Sequence, residues 1–101
     1  MRKFCVTTTW NYRGKPEEQY ERCVISPLPE DEQDYEGDSC MNSYSGIDCF
    51  VRNSLEEAIT KANFNPFAIE FKGLSAEEQK EKDNFLAKCT WTPENGLKIS
   101  E

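Results

Sequence analysis

The sequence contains no histidine, no Cys-x-x-Cys pair and no long apolar run. Histidine is the usual general base and the usual activator of serine and cysteine nucleophiles, so its absence excludes those catalytic arrangements. A chain of 101 residues also leaves little room for a cleft flanked by two tuned carboxylates. We therefore expect the protein not to be an enzyme.

Metal and cofactor motifs are also lacking. The five cysteines, at positions 5, 23, 40, 49 and 89, are too widely spaced for the paired ligands of a structural zinc site. The five glycines are scattered, and no glycine-rich loop leads into a helix that carries Lys-Ser or Lys-Thr. We predict no metal and no cofactor, and we interpret the cysteines as reduced thiols with packing roles.

No export or membrane segment is visible at the start of the chain. Two basic residues follow Met1, but polar residues from Thr7 to Asn11 interrupt any apolar run behind them. An odd number of cysteines is also unusual for a secreted disulfide framework. We therefore expect a cytoplasmic protein that does not contact a membrane.

The strongest positive feature is the distribution of charge. The net charge is −7, and residues 30–38 hold six carboxylates without a lysine or arginine. The rest of the chain has 13 acidic and 12 basic residues, so nearly all the net charge lies in this stretch. We name residues 27–45 the acidic segment and predict that they form a loop. The surplus of acid also argues against direct nucleic-acid binding.

Hydrophobic periodicity predicts the fold. Residues 4–12 alternate with a period of two, as expected for a strand, and residues 54–62 have helical apolar spacing behind a Ser-x-x-Glu capping box. A second capping box at Ser75, with acids early and Lys88 last, predicts a mostly polar helix over residues 76–88. The predicted order is β-β-β-α-β-α-β-β across one domain, residues 1–101. This is an α+β fold with one mainly antiparallel sheet of five to six strands and two helices on one side. We expect large aromatic residues to fill the core, namely Trp10, Tyr12, Phe67, Phe71 and Trp91.

The charge pattern indicates an interaction surface for a basic partner. Clustered carboxylates steer association and complement Lys/Arg surfaces of the kind that bind nucleic acid. The predicted partner-binding residues are Glu30, Asp31, Glu32, Asp34, Tyr35, Glu36, Asp38 and Tyr44. The simpler interpretation of the acidic segment is a solvated connection that only keeps the protein in solution.

In size, acidity and lack of catalytic residues, the chain is similar to the small acidic proteins, including anti-CRISPR inhibitors, by which viruses and mobile elements block host nucleic-acid enzymes. This similarity carries no shared motif. It implies an inhibitor that occupies a basic protein surface, such as one on a nucleic-acid-processing complex. The alternative is a domain that binds or sequesters a nucleotide or signalling molecule in a pocket at a homo-oligomer interface. A homodimer is compatible with either function.

Overall fold

The computed structural model describes residues 2–32, 38–40 and 45–100. Two short 3-10 helices occur at Pro16–Glu18 and Glu30–Glu32. The remaining elements, in chain order, are β1 (Phe4–Asn11), β2 (Tyr20–Pro27), β3 (Asp38–Cys40), β4 (Ser45–Arg52), α1 (Leu55–Lys61), β5 (Glu70–Phe71), α2 (Ala76–Leu86), β6 (Cys89–Thr92) and β7 (Gly96–Ile99).

The strands form two separate sheets. Five strands pair in the order β3-β4-β1-β2-β5, antiparallel except for the parallel pair β2–β5, and β6 and β7 form an antiparallel hairpin of their own. The α+β class is confirmed, but the prediction of one sheet is wrong. Alternation identifies the last two strands in the sequence without saying which strands they pair with.

One strand, β3, was not predicted. It lies within the acidic segment and pairs with β4 through Asp38↔Phe50 and Cys40↔Asp48. The prediction that residues 27–45 are only a loop is therefore wrong for Asp38–Cys40, and also for the 3-10 helix Glu30–Glu32. A three-residue polar strand has no apolar alternation that sequence reasoning could detect.

The strand register sorts the large sheet into two faces. Val6 of β1 pairs with Ile25 of β2 and with Phe50 of β4, so these residues share the face that we call inner. Helix α1 packs against β1 and β4, α2 packs against α1 and β6, and one core joins the sheet to the helices. The buried hydrophobic residues of that core are Phe4, Val6, Cys23, Ile25, Leu55, Ala58, Ile59, Ile69, Phe85 and Cys89.

The prediction of an aromatic core is wrong. None of the five aromatic residues proposed for it is buried, and Tyr12 and Phe67 are 49% and 59% exposed. Residues of β1 and β2 fill the space below the helices instead, namely Phe4, Val6, Cys23 and Ile25. Of the five predicted aromatic residues, Phe71 packs against this core while partly buried. The aromatic side chains are therefore free to line surface cavities.

Both α-helices begin with the predicted serine cap. The Ser54 hydroxyl accepts the Glu57 backbone N–H at 3.1 Å, and Ser75 forms a full capping box with Glu78. Helix α1 ends after only seven residues, and Asn63 then adopts a positive φ of 52°. This early end of α1 determines where the inner face of the sheet stays open.

Candidate functional site

A cavity of about 350 Å³ opens between the inner face of the large sheet and the end of α1. We call it the strand–helix cavity. Strands β1, β2 and β4 supply its floor, and the last residues of α1 with Asn63 supply one wall. Its lining residues are Thr8, Trp10, Tyr12, Glu21, Asp48, Phe50, Lys61, Ala62 and Asn63.

Element length explains why the cavity exists. Helix α1 is about 10 Å long at 1.5 Å per residue, whereas β1, with eight residues, is about 26 Å long. The helix therefore covers the half of β1 that holds Phe4 and Val6, which are buried. Thr8 and Trp10 follow on the same face beyond this cover and remain partly exposed.

The register brings two carboxylates to the cavity. Asp48 of β4 pairs with Thr8, and Glu21 of β2 pairs with Trp10, so an acid lies on each side of β1. Because Thr8 and Trp10 are two residues apart, the two carboxylates lie at different positions along the direction of β1. They do not form the close pair required for shared-proton or glycosidase chemistry.

Asp48 is the unusual member of the site. Its Oδ1 atom is shielded from solvent and accepts no hydrogen bond from the described residues. Buried carboxylate oxygens almost always have a donor, because an unsatisfied one costs on the order of 1–3 kcal/mol or more. Asp48 Oδ1 is therefore an unsatisfied acceptor beneath the cavity surface, and a donor reaches it only when the neighbouring side chains move.

Aromatic side chains form the neighbouring wall. Partial burial raises the pKa of the Tyr12 hydroxyl, and Glu21 adds to the shift by its charge and by accepting a hydrogen bond from that hydroxyl. Tyr12 thus stays protonated and holds Glu21 beside the Trp10 position. Phe50 already packs against a cation, because the Arg52 guanidinium carbon lies 5.1 Å from its ring centroid.

The charge balance of the lining favours a positively charged ligand. Lys61 is the one basic residue that lines the cavity, and its Nζ lies 3.3 Å from Glu57 Oε1, one turn earlier on α1. Asp48 and Glu21 outnumber this cation in the lining, and Arg52, on the ring of Phe50, is a further positive charge at the margin. Carboxylates combined with aromatic faces are the groups that recognise ammonium and guanidinium ions.

A second cavity, of about 390 Å³, lies between the end of α1 and the β6–β7 hairpin. We call it the hairpin cavity. Trp91 and Leu97 are paired across the hairpin and both line it. Its lining residues, none of which is charged, are Thr60, Asn63, Phe64, Trp91, Asn95, Gly96, Leu97 and Ile99.

Four of the eight predicted partner-binding residues lie outside the described residues. Glu30 and Asp31 are exposed in the 3-10 helix, and the backbone of Glu32 completes it. Asp38 is described only as a backbone position in β3. Asp34, Tyr35, Glu36 and Tyr44 are not described.

The described cysteines occupy two settings, the core and the outer face of the large sheet. Cys23 and Cys89 are buried, and burial raises the pKa of both thiols, which keeps them protonated and poorly nucleophilic. Cys5 and Cys49 are half-buried on the outer face, with their Sγ atoms 3.5 and 3.6 Å from Thr7 Oγ1. Cys40 is described only by its backbone in β3.

Sequence reasoning missed the cavity residues Trp10, Tyr12, Glu21 and Asp48. One signal was available: Asp48 interrupts the otherwise apolar run from Ile47 to Val51. No local pattern shows that Asp48 pairs with Thr8 or that α1 is short, because both depend on tertiary structure.

Neither helix that the structure describes is long and apolar enough to cross a membrane.

Comparison of the chain with protein-family models, with curated proteins and with solved structures found no match.

Proposed function

We propose that the protein is a non-enzymatic binding protein that recognises a basic surface of a macromolecular partner and receives one of its cationic side chains in the strand–helix cavity. One observation carries the proposal: Asp48 and Glu21 both line the strand–helix cavity, and the one lysine of the lining, Lys61, is paired with Glu57. A lysine or arginine side chain would supply the opposite charge and donors to a carboxylate.

The acidic segment fits the same function. Glu30 and Asp31 are exposed, and the six carboxylates of residues 30–38 give this part of the chain a strong negative field. Such a field speeds the approach of a basic partner. As part of this proposal, the partner is a cytoplasmic nucleic-acid-processing complex, and the protein inhibits it by occupying its basic surface as small viral and mobile-element inhibitors do.

Asp48→Asn tests the proposal, with Asp83→Asn as the matched control. Asp83 lies on α2, its side chain is 69% exposed, and it does not line the strand–helix cavity. The probe is a hexa-arginine peptide, and binding is followed by calorimetry and by tryptophan fluorescence. We expect Asp48→Asn to weaken binding at least tenfold, because loss of a desolvated charge partner costs about 2–5 kcal/mol. Asp83→Asn should bind like the wild type.

Equal binding by the two variants would overturn the proposed role of the cavity. Circular dichroism checks that each variant is folded. A hexa-glutamate peptide serves as the charge-reversed probe and should not bind. Tight binding of that peptide would contradict recognition of a basic partner altogether.

The alternative function, a domain that binds a small ligand, has one observation in its favour. Both cavities fall within the range of about 300–1,000 Å³ that is usual for ligand pockets. A rise in melting temperature with a nucleotide, and none with the arginine peptide, would favour this alternative.

A further inference from the structure

We propose that the strand–helix cavity and the hairpin cavity act together as one bipartite site for an extended peptide segment of the partner. The segment carries a cationic side chain and, two residues away, an apolar side chain. The inference rests on the proposed function of the strand–helix cavity and adds the second cavity and the sequence pattern of the partner.

The two cavities adjoin at a single residue. Asn63 lines both of them, the strand–helix cavity on one side and the hairpin cavity on the other. Asn63 follows the end of α1 with a φ of 52°, a conformation that asparagine tolerates better than most residues. The chain therefore turns at this point, and the same residue borders both cavities.

The linings differ in chemistry. Asp48 and Glu21 make the strand–helix cavity acidic, whereas no charged residue lines the hairpin cavity. Trp91 and Leu97 give the hairpin cavity apolar walls, and Ile99 at its margin is 45% exposed. One cavity is thus suited to a cation and its neighbour to an aliphatic or aromatic group.

An extended peptide can occupy two adjoining cavities. Side chains on the same side of an extended chain recur every two residues, about 6.6–6.8 Å apart. We infer that the two cavities, which share Asn63, receive such a pair while the exposed Asn63 lies below the peptide backbone between them. The Asn63 amide group can both donate to and accept from that backbone.

Short peptides test the bipartite site on the full chain. The probe is acetyl-Gly-Arg-Gly-Leu-Gly-amide, together with its reversed order, and the reference peptide has glycine in place of leucine. We expect the leucine peptide, in one of the two orders, to bind about tenfold more tightly than the reference. A peptide with arginine and leucine adjacent should lose most of this gain.

Ile99→Ser and Ile47→Ser form the variant pair. The two isoleucines are similarly exposed, at 45% and 43%, but only Ile99 lines a cavity. Ile99→Ser should abolish most of the gain from leucine and leave binding of the reference peptide unchanged, while Ile47→Ser should change neither.

The outcomes separate the two proposals. If Asp48→Asn weakens both peptides but Ile99→Ser affects neither, the bipartite site is wrong and the proposed function stands. If Asp48→Asn has no effect on either peptide, the proposed function fails and the bipartite site fails with it. An equal loss of the leucine gain in both isoleucine variants would contradict the hairpin cavity as its source.

Discussion

At the scale of single residues, the carboxylates of Glu78 and Asp48 differ in how many hydrogen bonds they accept. Glu78 accepts a hydrogen bond from Arg2 Nε at 3.1 Å and another from the Ser75 backbone N–H at 2.8 Å. Asp48 has a shielded oxygen without any donor from the described residues. Full satisfaction is typical of a structural role, whereas a shielded acceptor without a donor is rare and costs stability. We therefore expect Glu78 to contribute to stability, while the proposed function assigns Asp48 to binding.

Glu78 makes stability depend on pH in a defined direction. The hydrogen bond from Arg2 is the main reason that the pKa of Glu78 lies below its ordinary value of 4.5. Because the folded pKa is lowered, the stabilisation is present above about pH 4.5 and is lost as the pH falls through the folded pKa. Glu78→Gln retains the capping geometry and removes the charge.

We therefore expect Glu78→Gln to lower the melting temperature at pH 6–7 and the difference from the wild type to shrink toward about pH 3. Thermal unfolding across this range measures it. Glu70→Gln is the control, because the Arg22–Glu70 ion pair is largely exposed, with side chains 54% and 43% accessible, and should contribute less. If the melting temperature of Glu78→Gln differed from that of the wild type by the same amount at every pH, the charge of Glu78 would not be the source of the stabilisation.

At the scale of elements, local patterns predicted strands and helices well and their assembly poorly. Strand β1 alternates Phe4, Val6 and Thr8 on one face, and both helices start at a capping serine, because these signals lie within a few residues. The parallel pairing of β5 with β2 joins Val24 to Glu70, far apart in sequence. The same limit applies to the cavity, which depends on how far α1 reaches along the sheet.

Two turn glycines allow a matched test of how the elements are joined. Gly73, between β5 and α2, and Gly96, at the start of β7, have nearly equal φ values of 70° and 69°. A Cβ on Gly73 would lie 3.3 Å from Pro27 Cδ at the end of β2, whereas a Cβ on Gly96 would meet nothing within 4 Å.

Both alanine variants should lose about 1–2 kcal/mol for the left-handed backbone. Gly73→Ala should lose up to about 1 kcal/mol more, because the contact with Pro27 is tight. Urea unfolding of the two variants measures the difference. If Gly96→Ala were the less stable of the two, the junction between β2 and the start of α2 would not be packed as described.

At the scale of the whole molecule, the proposed function assigns the acidic segment and the strand–helix cavity to different steps of binding. The strand–helix cavity holds two carboxylates, while six others lie within residues 30–38. Pro27 pairs with Phe4 and Asp38 with Phe50, so both ends of this acidic stretch lie toward the end of the sheet at which β1 begins. Asp48 and Glu21 line the cavity further along β1. Charges outside the cavity act on approach, whereas charges inside it act on the bound state.

This division predicts that two variants with the same net charge differ in their association rates, depending on which carboxylates are neutralised. Neutralising Glu30, Asp31, Glu32, Asp34, Glu36 and Asp38 to Gln or Asn should slow association with the hexa-arginine peptide roughly tenfold at low salt. The salt dependence should become shallower, with little change in the dissociation rate. Stopped-flow tryptophan fluorescence at several salt concentrations measures both rates.

The control neutralises six exposed carboxylates dispersed over the surface, namely Glu17, Glu56, Glu77, Glu81, Asp83 and Glu94. Because both variants lose six negative charges, slower association of the first alone locates the steering field in the acidic segment. Equal association rates in the two variants would leave that segment with only a solubilising role.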